Sequence, residues 1–199
     1  MLISSLNFKG GQGKSLWAAI LAGWLGPKTE VLDLDPQQGD AHSWAEKAGY
    51  PTRLIWRDHK AVLQAAAASE DWFVADCPPL ESPEVRAALH FSQLVVVPLI
   101  PGGAQDARAW GRLVAALRDA RGLNPGMKVA VVINGYRQTA LGKDFIEMLK
   151  EWHSPKTGQA VLGVVPMRVR LAEQFGAGEV PSDPSVDDVL KKLRAFAQK

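Results

Sequence analysis

The stretch Lys9-Gly10-Gly11-Gln12-Gly13-Lys14-Ser15 decides how the rest of this 199-residue chain is interpreted. It follows a short apolar run at 2–6 and precedes a helical pattern at 15–25 that is apolar nearly all round. Glycines allow a backbone to curl so that successive N–H groups point inward, and a helix N-terminus adds a positive dipole. A lysine and a hydroxyl at the end of such a turn suit a phosphate chain and its Mg²⁺ ion. The stretch therefore predicts a phosphate-binding loop between a strand and a helix.

The composition fits a single domain covering residues 1–199. Hydrophobic residues make up 47% of the chain and charged residues 22%, which allows a sizeable core and argues against wholesale disorder. No apolar run reaches the roughly 20 residues that a membrane-spanning helix needs. The single cysteine, Cys77, is best explained as a small buried side chain and favours a reducing, cytoplasmic location. The net charge of +2 does not by itself indicate a nucleic-acid partner.

Apolar runs and helical patterns alternate along the whole chain. The apolar runs lie at 2–6, 31–34, 53–56, 72–75, 94–97, 128–133 and 161–165, and the helical patterns lie at 15–25, 59–68, 105–121, 141–152 and 186–197. Strands that are apolar on both faces and separated by helices form parallel sheets covered on both sides. We predict an α/β fold with a mostly parallel central sheet flanked by helices on both faces.

The loop departs from the ordinary Walker A pattern, G-x-x-x-x-G-K-[ST], because Phe8 occupies the position of its first glycine. A lysine, Lys9, directly precedes the double glycine instead. In this the chain resembles the ParA/MinD family of deviant Walker A P-loop ATPases, whose loop reads K-G-G-x-G-K-[ST]. The resemblance implies that Lys9 reaches the nucleotide of a second subunit, that Lys14 binds the β- and γ-phosphates in its own chain, and that Ser15 ligates Mg²⁺.

Two further stretches resemble motifs of the same family. The segment Asp33-Leu34-Asp35-Pro36-Gln37 is similar to the family's D-x-D-P-Q, in which the second aspartate, here Asp35, orients the attacking water. The segment 73–79 is similar to its Walker B motif, in which Asp76 holds Mg²⁺ through water. Carboxylates suit both tasks, since they accept protons and are hard ligands. The resemblance thus implies a Mg²⁺-dependent ATPase with Lys9, Lys14 and Asp35 in catalysis and ATP and Mg²⁺ as cofactors.

The late segment 164–173 resembles the family's loop and helix near the nucleotide base and the DNA-binding face. Arg168 and Arg170 stand close to where relatives place arginines that contact DNA without sequence preference. Solvated surface arginines are the alternative interpretation. Additional positive charge for a DNA surface is available from Arg108, Arg112, Arg118, Arg121, Arg137 and Lys143.

Other positions leave two interpretations open. Asn134 stands where relatives place an asparagine that binds the adenine edge, but Asn before Gly135 equally favours a turn. Pro166 either packs on the base or is an ordinary loop proline. Leu16 replaces a common threonine and Gln12 a smaller or apolar residue, so the subfamily stays open.

The resemblance is strongest to the small ParA-type partition ATPases. It implies a homodimer formed with ATP, nonspecific DNA binding, and a ParB-like or other adaptor protein that stimulates an otherwise weak hydrolysis. Such a protein is cytoplasmic and nucleoid-associated, and it segregates or positions a plasmid, a chromosome region or a protein body such as a carboxysome. Two alternatives stay open: a metabolic ATP-dependent enzyme on the same fold, and a MinD-like membrane-associated ATPase that would use the helix at 186–197. We favour a role for that helix in closing the domain core.

Overall fold

A computed structural model of the chain describes residues 1–79, 82–101, 104–136 and 140–198. Within these ranges seven parallel strands form one sheet in the order β3-β2-β4-β1-β5-β6-β7. The strands are β1 (Leu2–Ser5), β2 (Glu30–Asp33), β3 (Thr52–Leu54), β4 (Phe73–Asp76), β5 (Leu94–Leu99), β6 (Lys128–Tyr136) and β7 (Gln159–Pro166). Because all strands run the same way, their carboxyl ends lie along one edge of the sheet.

Eight helices in the described ranges cover both faces of this sheet. One face carries α1 (Lys14–Leu25), α2 (Asp40–Ala48), α7 (Val169–Ala177) and α8 (Pro184–Ala197). The other carries α3 (His59–Ala68), α4 (Pro83–Phe91), α5 (Ala104–Arg121) and α6 (Ala140–Trp152). The predicted α/β fold is confirmed.

Side-chain alternation along the strands separates two hydrophobic cores. In β5, Val95 and Val97 pack with α3 to α6, whereas Leu94 and Val96 pack with α1, α2, α7 and α8. Successive residues of a strand point to opposite faces, so a strand buried on both sides must be apolar throughout. The central strands therefore form a rigid base for the loops that follow their carboxyl ends.

Strand β1 lies at the point where the order of the strands reverses. Its two neighbours are β4 and β5, although these two follow each other in sequence. In open α/β sheets, ligands bind outside the carboxyl ends of the strands at such a point. The loop after β1 is the stretch that the sequence singles out for phosphate binding.

Several elements differ from the sequence-based expectation. Helices α2 and α4 are not predicted, because their buried positions are mostly small residues that give little periodic signal; α2 buries only Ala41, Trp44 and Ala45. Strand β3 ends at Leu54, so Trp56 falls outside it. Strand β6 continues past Ile133 to Tyr136.

The apolar face of α8 belongs to the core, as expected for a helix that closes the domain. Val186, Val189, Leu193 and Phe196 are buried, and the helix packs along β7. Asp183 caps its N-terminus, accepting a hydrogen bond from the Ser185 N–H at 2.9 Å. None of the described helices is long and apolar enough to cross a membrane.

Candidate nucleotide-binding site

The loop between β1 and α1 has the backbone shape of a phosphate cradle. Gly11 and Gly13 have φ values of 70° and 87°, which L-residues with side chains rarely adopt. Helix α1 begins at Lys14, and the Trp17 N–H donates to the Gly13 carbonyl oxygen at 2.9 Å. The first N–H groups of α1 thus open into the loop, where an anion is favoured by the helix dipole.

Hydrogen bonds from β1, from the residue after β5 and from β6 hold the loop in place. The Ser5 hydroxyl donates to the Lys14 carbonyl oxygen at 2.8 Å, and the Ile100 N–H donates to Gln12 Oε1 at 2.7 Å. Asn134 Nδ2 donates to the Gln12 carbonyl oxygen at 3.0 Å. Gln12, an unusual residue at this position of the motif, is therefore buried and links the loop by hydrogen bonds to residues at the carboxyl ends of β5 and β6.

The structure places Asn134 inside β6, directly against the phosphate loop. A Cβ atom on Gly13 would approach Asn134 Nδ2 to 2.4 Å, so this contact also requires glycine at residue 13. Gly135 has a φ of 60°, and the pairing with β7 shifts register there, but β6 continues to Tyr136, so Asn134-Gly135 forms an irregularity within the strand and not the turn given as the alternative. Pro166 ends β7 beside Tyr136. Adenine binding by Asn134 and Pro166 stays a prediction.

Three aspartates lie at the carboxyl ends of β2 and β4. Asp33 and Asp76 are paired in register on these adjacent strands, and both are buried. Asp33 Oδ1 accepts from the Asp35 N–H and Asp33 Oδ2 from the His42 N–H, each at 2.9 Å. Asp33 therefore fixes the backbone at Asp35, which is partly exposed.

Burial perturbs the two inner carboxyl groups. Burial and the neighbouring Asp33 raise the pKa of Asp76 to about 8, although Ser15 and Lys14 act in the opposite direction. Burial also raises the pKa of Asp33, against the hydrogen bonds from His42 and Asp35. Within the described part of the chain, Asp76 Oδ1 has no hydrogen-bond partner. A buried, unsatisfied carboxylate oxygen close to a serine hydroxyl fits Mg²⁺, which prefers oxygen ligands.

We expect Asp76→Asn to remove a pH dependence of the free energy of unfolding of the nucleotide-free protein. The pKa of Asp76 is about 8 in the folded chain, against an ordinary value of 3.8. Between these values the folded state keeps a proton that the unfolded state has lost, so the free energy of unfolding falls as pH rises. Each pH unit in this window corresponds to about 1.4 kcal/mol. The wild type should thus lose up to about 4 kcal/mol through this group between pH 5 and pH 8, and the variant should lose none of it.

Urea unfolding in EDTA without nucleotide measures this difference. The control is Asp40→Asn, which changes an exposed carboxyl group at the start of α2 and should follow the wild type. Parallel pH curves for the wild type and Asp76→Asn would contradict the raised pKa.

Lys9 is held by a residue of its own chain. Its ammonium group forms an ion pair with Asp106 Oδ1 in the first turn of α5. The Lys9 side chain is 40% exposed, whereas that of Asp106 is 7% exposed. Lys9, which the family resemblance implies to be a trans-acting residue, therefore lies at the surface. Its ammonium group is nevertheless paired with a carboxylate of its own chain.

The arginines predicted to bind DNA lie at the start of α7. Arg168 and Arg170 are both exposed. Arg168 Nε forms an ion pair with Asp183 Oδ2 at 3.5 Å, whereas Arg170 has no ion pair with a described residue. Of the additional candidates, Arg108, Arg112, Arg118 and Lys143 are exposed, Arg121 is half-buried and donates to the Gly158 carbonyl oxygen, and Arg137 lies outside the described residues.

Two residues of the site were not assigned a role from the sequence. Asp33 belongs to the D-x-D-P-Q segment and lies between Leu32 and Leu34, which are both buried. A carboxylate flanked by apolar residues at the end of a strand is a signal of a buried functional group. Asp106 lies on the face of α5 that also buries Trp110 and Leu113. An acidic residue on an apolar helix face is the signal that could have revealed it.

A cavity of about 540 Å³ lies elsewhere, among α3, α4 and α5. Its lining includes His59, His90, Asp119 and Leu123, and no residue of the phosphate loop or of the three aspartates. The metabolic-enzyme alternative requires a small-substrate pocket beside the phosphate loop, and this cavity does not lie there.

A sequence model of the family described as the CobQ/CobB/MinD/ParA nucleotide binding domain matches residues 3–181. The chain belongs to this family. The match covers the phosphate loop, the three aspartates and the segment with Arg168 and Arg170. The ParA/MinD resemblance drawn from the sequence is thereby confirmed, and the chain is a nucleotide-binding ATPase of this family.

One curated relative is similar to part of this chain. A stretch of 137 residues is 28% identical to Maintenance of carboxysome distribution protein A from Halothiobacillus neapolitanus. It spans 64% of this chain and 63% of that protein, so the match covers less than two thirds of the curated relative's length.

Two solved structures share the fold over nearly the whole chain. A putative plasmid partition protein from Borrelia burgdorferi B31 bound to AMPPNP superimposes with a TM-score of 0.72 at 19% identity, covering 99% of this chain and 98% of that chain. The apo McdA structure from Cyanothece gives a TM-score of 0.74 at 15% identity, covering 98% of each chain. At these identities the likeness establishes the fold alone.

Proposed function

We propose that this protein is a ParA-like positioning ATPase that dimerises on binding ATP, binds DNA without sequence preference and moves a cargo. The observation that carries the proposal is Lys9, a partly exposed lysine at the first residue of the phosphate loop, at the carboxyl edge of the sheet. A single active site already has Lys14 for its phosphates. A second lysine on the open side of the loop is explained by a nucleotide that belongs to another copy.

The proposed binding step uses the loop and the aspartates. Lys14 and the N–H groups of Gly10–Ser15 would hold the phosphates. Ser15 and Asp76 would hold Mg²⁺, which would supply positive charge opposite the phosphates. Asp76 would bind the ion in its ionised form, the form that burial disfavours in the folded chain. Gln12 and Asn134 keep the loop in shape, so little ordering is left to occur on binding.

The proposed dimerisation step requires Lys9 to exchange partners. In the monomer its ammonium group is paired with Asp106. In the dimer it reaches the phosphates of the other subunit and helps to stabilise negative charge there. Nucleotide acts here by binding one of two states better than the other.

In the proposed hydrolysis step, Asp35 orients water for attack on the γ-phosphate. Its N–H is fixed by Asp33, while its own side chain is partly exposed. Hydrolysis is slow until an adaptor, ParB-like or of another type, adjusts the site. The dimer then opens and leaves the DNA, which places the protein in the cytoplasm and on the nucleoid.

The nature of the cargo is part of the proposal. The carboxysome distribution relative, which is 28% identical over 137 residues, supports a protein body as the cargo over a metabolic substrate, and a plasmid or a chromosome region is the other cargo within the same proposal. The burial of the apolar face of α8 removes the main sequence feature in favour of a membrane-targeting helix.

A DNA-binding titration tests the proposal. With ATP and Mg²⁺ at low salt, the wild type should bind a labelled duplex of arbitrary sequence at least about 10-fold more tightly than with ADP, and raised salt should weaken binding. Arg170→Glu should lower the ATP-state affinity by at least about 10-fold, because it replaces a phosphate contact by a repulsive charge. Lys9→Ala should remove the ATP dependence by preventing dimerisation.

Lys191→Glu is the matched control, since it reverses an exposed positive charge on α8. This variant should bind DNA within about 2-fold of the wild type if the surface at the start of α7 is specific. An ATP-bound wild type that ignores DNA at low salt contradicts the proposal. So does ATP turnover that depends on a small substrate and is unaffected by Lys9→Ala.

A further inference from the structure

The cavity among α3, α4 and α5 is separate from the nucleotide-binding site and has no part in the proposed cycle. Its volume of about 540 Å³ falls in the range of about 300–1,000 Å³ in which proteins bind small organic molecules. Helix α4 contributes one of its faces, since Pro83, Arg86, Ala87 and His90 recur at the spacing of one helix side. Helices α3 and α5 pack against α4 and complete the lining.

Small side chains keep the space between these helices open. Ala116 and Ala120, one turn apart on α5, line the cavity together with Ala87 of α4. Larger apolar side chains at these positions would fill the space and bury more apolar surface, which stabilises a folded chain. The open cavity therefore has a cost in stability, and an apolar ligand within it would recover that burial.

The end of the cavity near the C-termini of α4 and α5 is mainly apolar. Phe91 is half-buried and Leu123 is 69% exposed, and both belong to the lining. The polar residues at this end are His90, whose ring centroid lies 4.5 Å from that of Phe91, and Asp119 in the last turn of α5. This end therefore suits the aromatic or aliphatic part of a ligand.

The end of the cavity near the first turns of α3 and α4 carries positive charge. Lys60 and Arg86 both line it, and Lys60 forms no ion pair with a described residue. The carboxylate of Glu84 does not belong to the lining, and its Oε1 lies 3.7 Å from His59 Nδ1. This end therefore suits an anionic group.

The cationic and apolar ends are separated by the length of a small organic molecule. Arg86 and Phe91 are five residues apart on α4, which corresponds to about 8 Å along the helix axis. A molecule of that length can place an anionic group at one end and apolar atoms at the other.

We infer that this cavity is a second ligand site, which binds an organic anion with an aromatic or alkyl body. Its carboxylate, sulfonate or phosphate group lies between Lys60 and Arg86, where charge-assisted hydrogen bonds stabilise it. Its apolar body packs against Phe91, Ala120 and Leu123 and is removed from water there. Because the lining contains no residue of the phosphate loop, nucleotide and anion can be bound at the same time.

Fluorescence titration with anilinonaphthalene sulfonate tests the inference, because this probe joins aromatic rings to one anionic group and brightens in apolar sites. Saturating ADP and Mg²⁺ keep the phosphate loop filled, so that the sulfonate cannot bind there. The wild type should bind the probe at one site per chain. Phenylnaphthylamine, which has the same rings without the sulfonate, should bind at least about 10-fold more weakly.

Two variants locate the bound probe. Lys60→Glu should raise the Kd of the sulfonate probe by at least about 10-fold, because it replaces the cation by a repulsive charge. Ala120→Phe should raise the Kd by at least about 10-fold, because its ring occupies the apolar end of the cavity. The matched controls are Lys191→Glu on α8 and Ala115→Phe on the solvent side of α5, which change exposed residues outside the cavity and should stay within about 2-fold of the wild type.

Ala120→Leu repeats the test with a smaller side chain if Ala120→Phe lowers the melting temperature. Equal affinity for the two probes, sulfonate binding that ADP abolishes, or absence of binding by the wild type overturns the inference. Unchanged affinity in Lys60→Glu, or in both variants of Ala120, overturns it as well. The proposed function is tested separately: a chain that binds the probe but neither dimerises with ATP nor binds DNA contradicts the proposed function alone.

Discussion

Replacement of Asp35 by alanine is expected to lower the ATP hydrolysis rate by at least about 100-fold, the usual contribution of a positioned general base. ATP binding should persist, because the loop 9–15, Ser15 and Asp76 are unchanged. The variant should accumulate as an ATP-bound dimer that cannot open. Single-turnover hydrolysis, combined with sedimentation in the presence of ATP, measures the rate and the trapped state together.

Asp40→Ala is the matched control for this prediction. Asp40 is an exposed carboxylate five residues further along, at the start of α2, and its loss should leave hydrolysis within about 2-fold of the wild type. Rapid turnover by Asp35→Ala would remove Asp35 from the proposed hydrolysis step. A loss of ATP binding by this variant would assign the residue to binding instead.

Lys14→Ala is expected to weaken ATP and ADP binding by at least about 100-fold. The Lys14 ammonium group lies at the first residue of α1, and charge-assisted hydrogen bonds to phosphate are worth about 1.5–3 kcal/mol each. Loss of two such bonds accounts for the effect. Titration calorimetry with ADP measures binding without hydrolysis or dimerisation.

Lys14 is also buried near Asp76, so the effect on binding must be separated from an effect on folding. Lys14→Met keeps the aliphatic stem and should bind nucleotide as poorly as Lys14→Ala, with a melting temperature closer to that of the wild type. Lys28→Ala, which changes an exposed lysine after α1, is the matched control. Wild-type ADP affinity in Lys14→Met would contradict the role of the ammonium group.

Much of the fold was predictable because the strands are short apolar runs separated by long amphipathic helices. The apolar run at 2–6 and the glycine-rich stretch at 9–15 define the central strand and the loop that follows it. Asp35 and Asp76 were predicted as site residues from their motifs, and the structure places both at carboxyl ends of neighbouring strands. Their roles in hydrolysis and metal binding stay predictions until the variants are measured.

The remaining features depend on contacts between distant parts of the chain. The bond from Ile100 to Gln12 joins residues 88 positions apart, and that from Asn134 to Gln12 joins residues 122 apart. The residues that neighbour Gln12 in the sequence do not determine which of these distant segments it contacts. The Lys9–Asp106 ion pair likewise depends on where α5 begins relative to the loop, which is set by sheet order and not by either residue's neighbours.

In the proposed cycle, the Lys9–Asp106 ion pair makes the monomer a competitor of the dimer. Each free subunit would have to open its internal pair before its lysine could serve another chain, so the apparent dimer affinity would fall as fewer subunits have an open pair. The protein concentration at which ATP assembles dimers would then be set partly by the side chain at residue 106. A substitution at that residue would shift this threshold while Lys14, Asp35 and Asp76 stay unchanged.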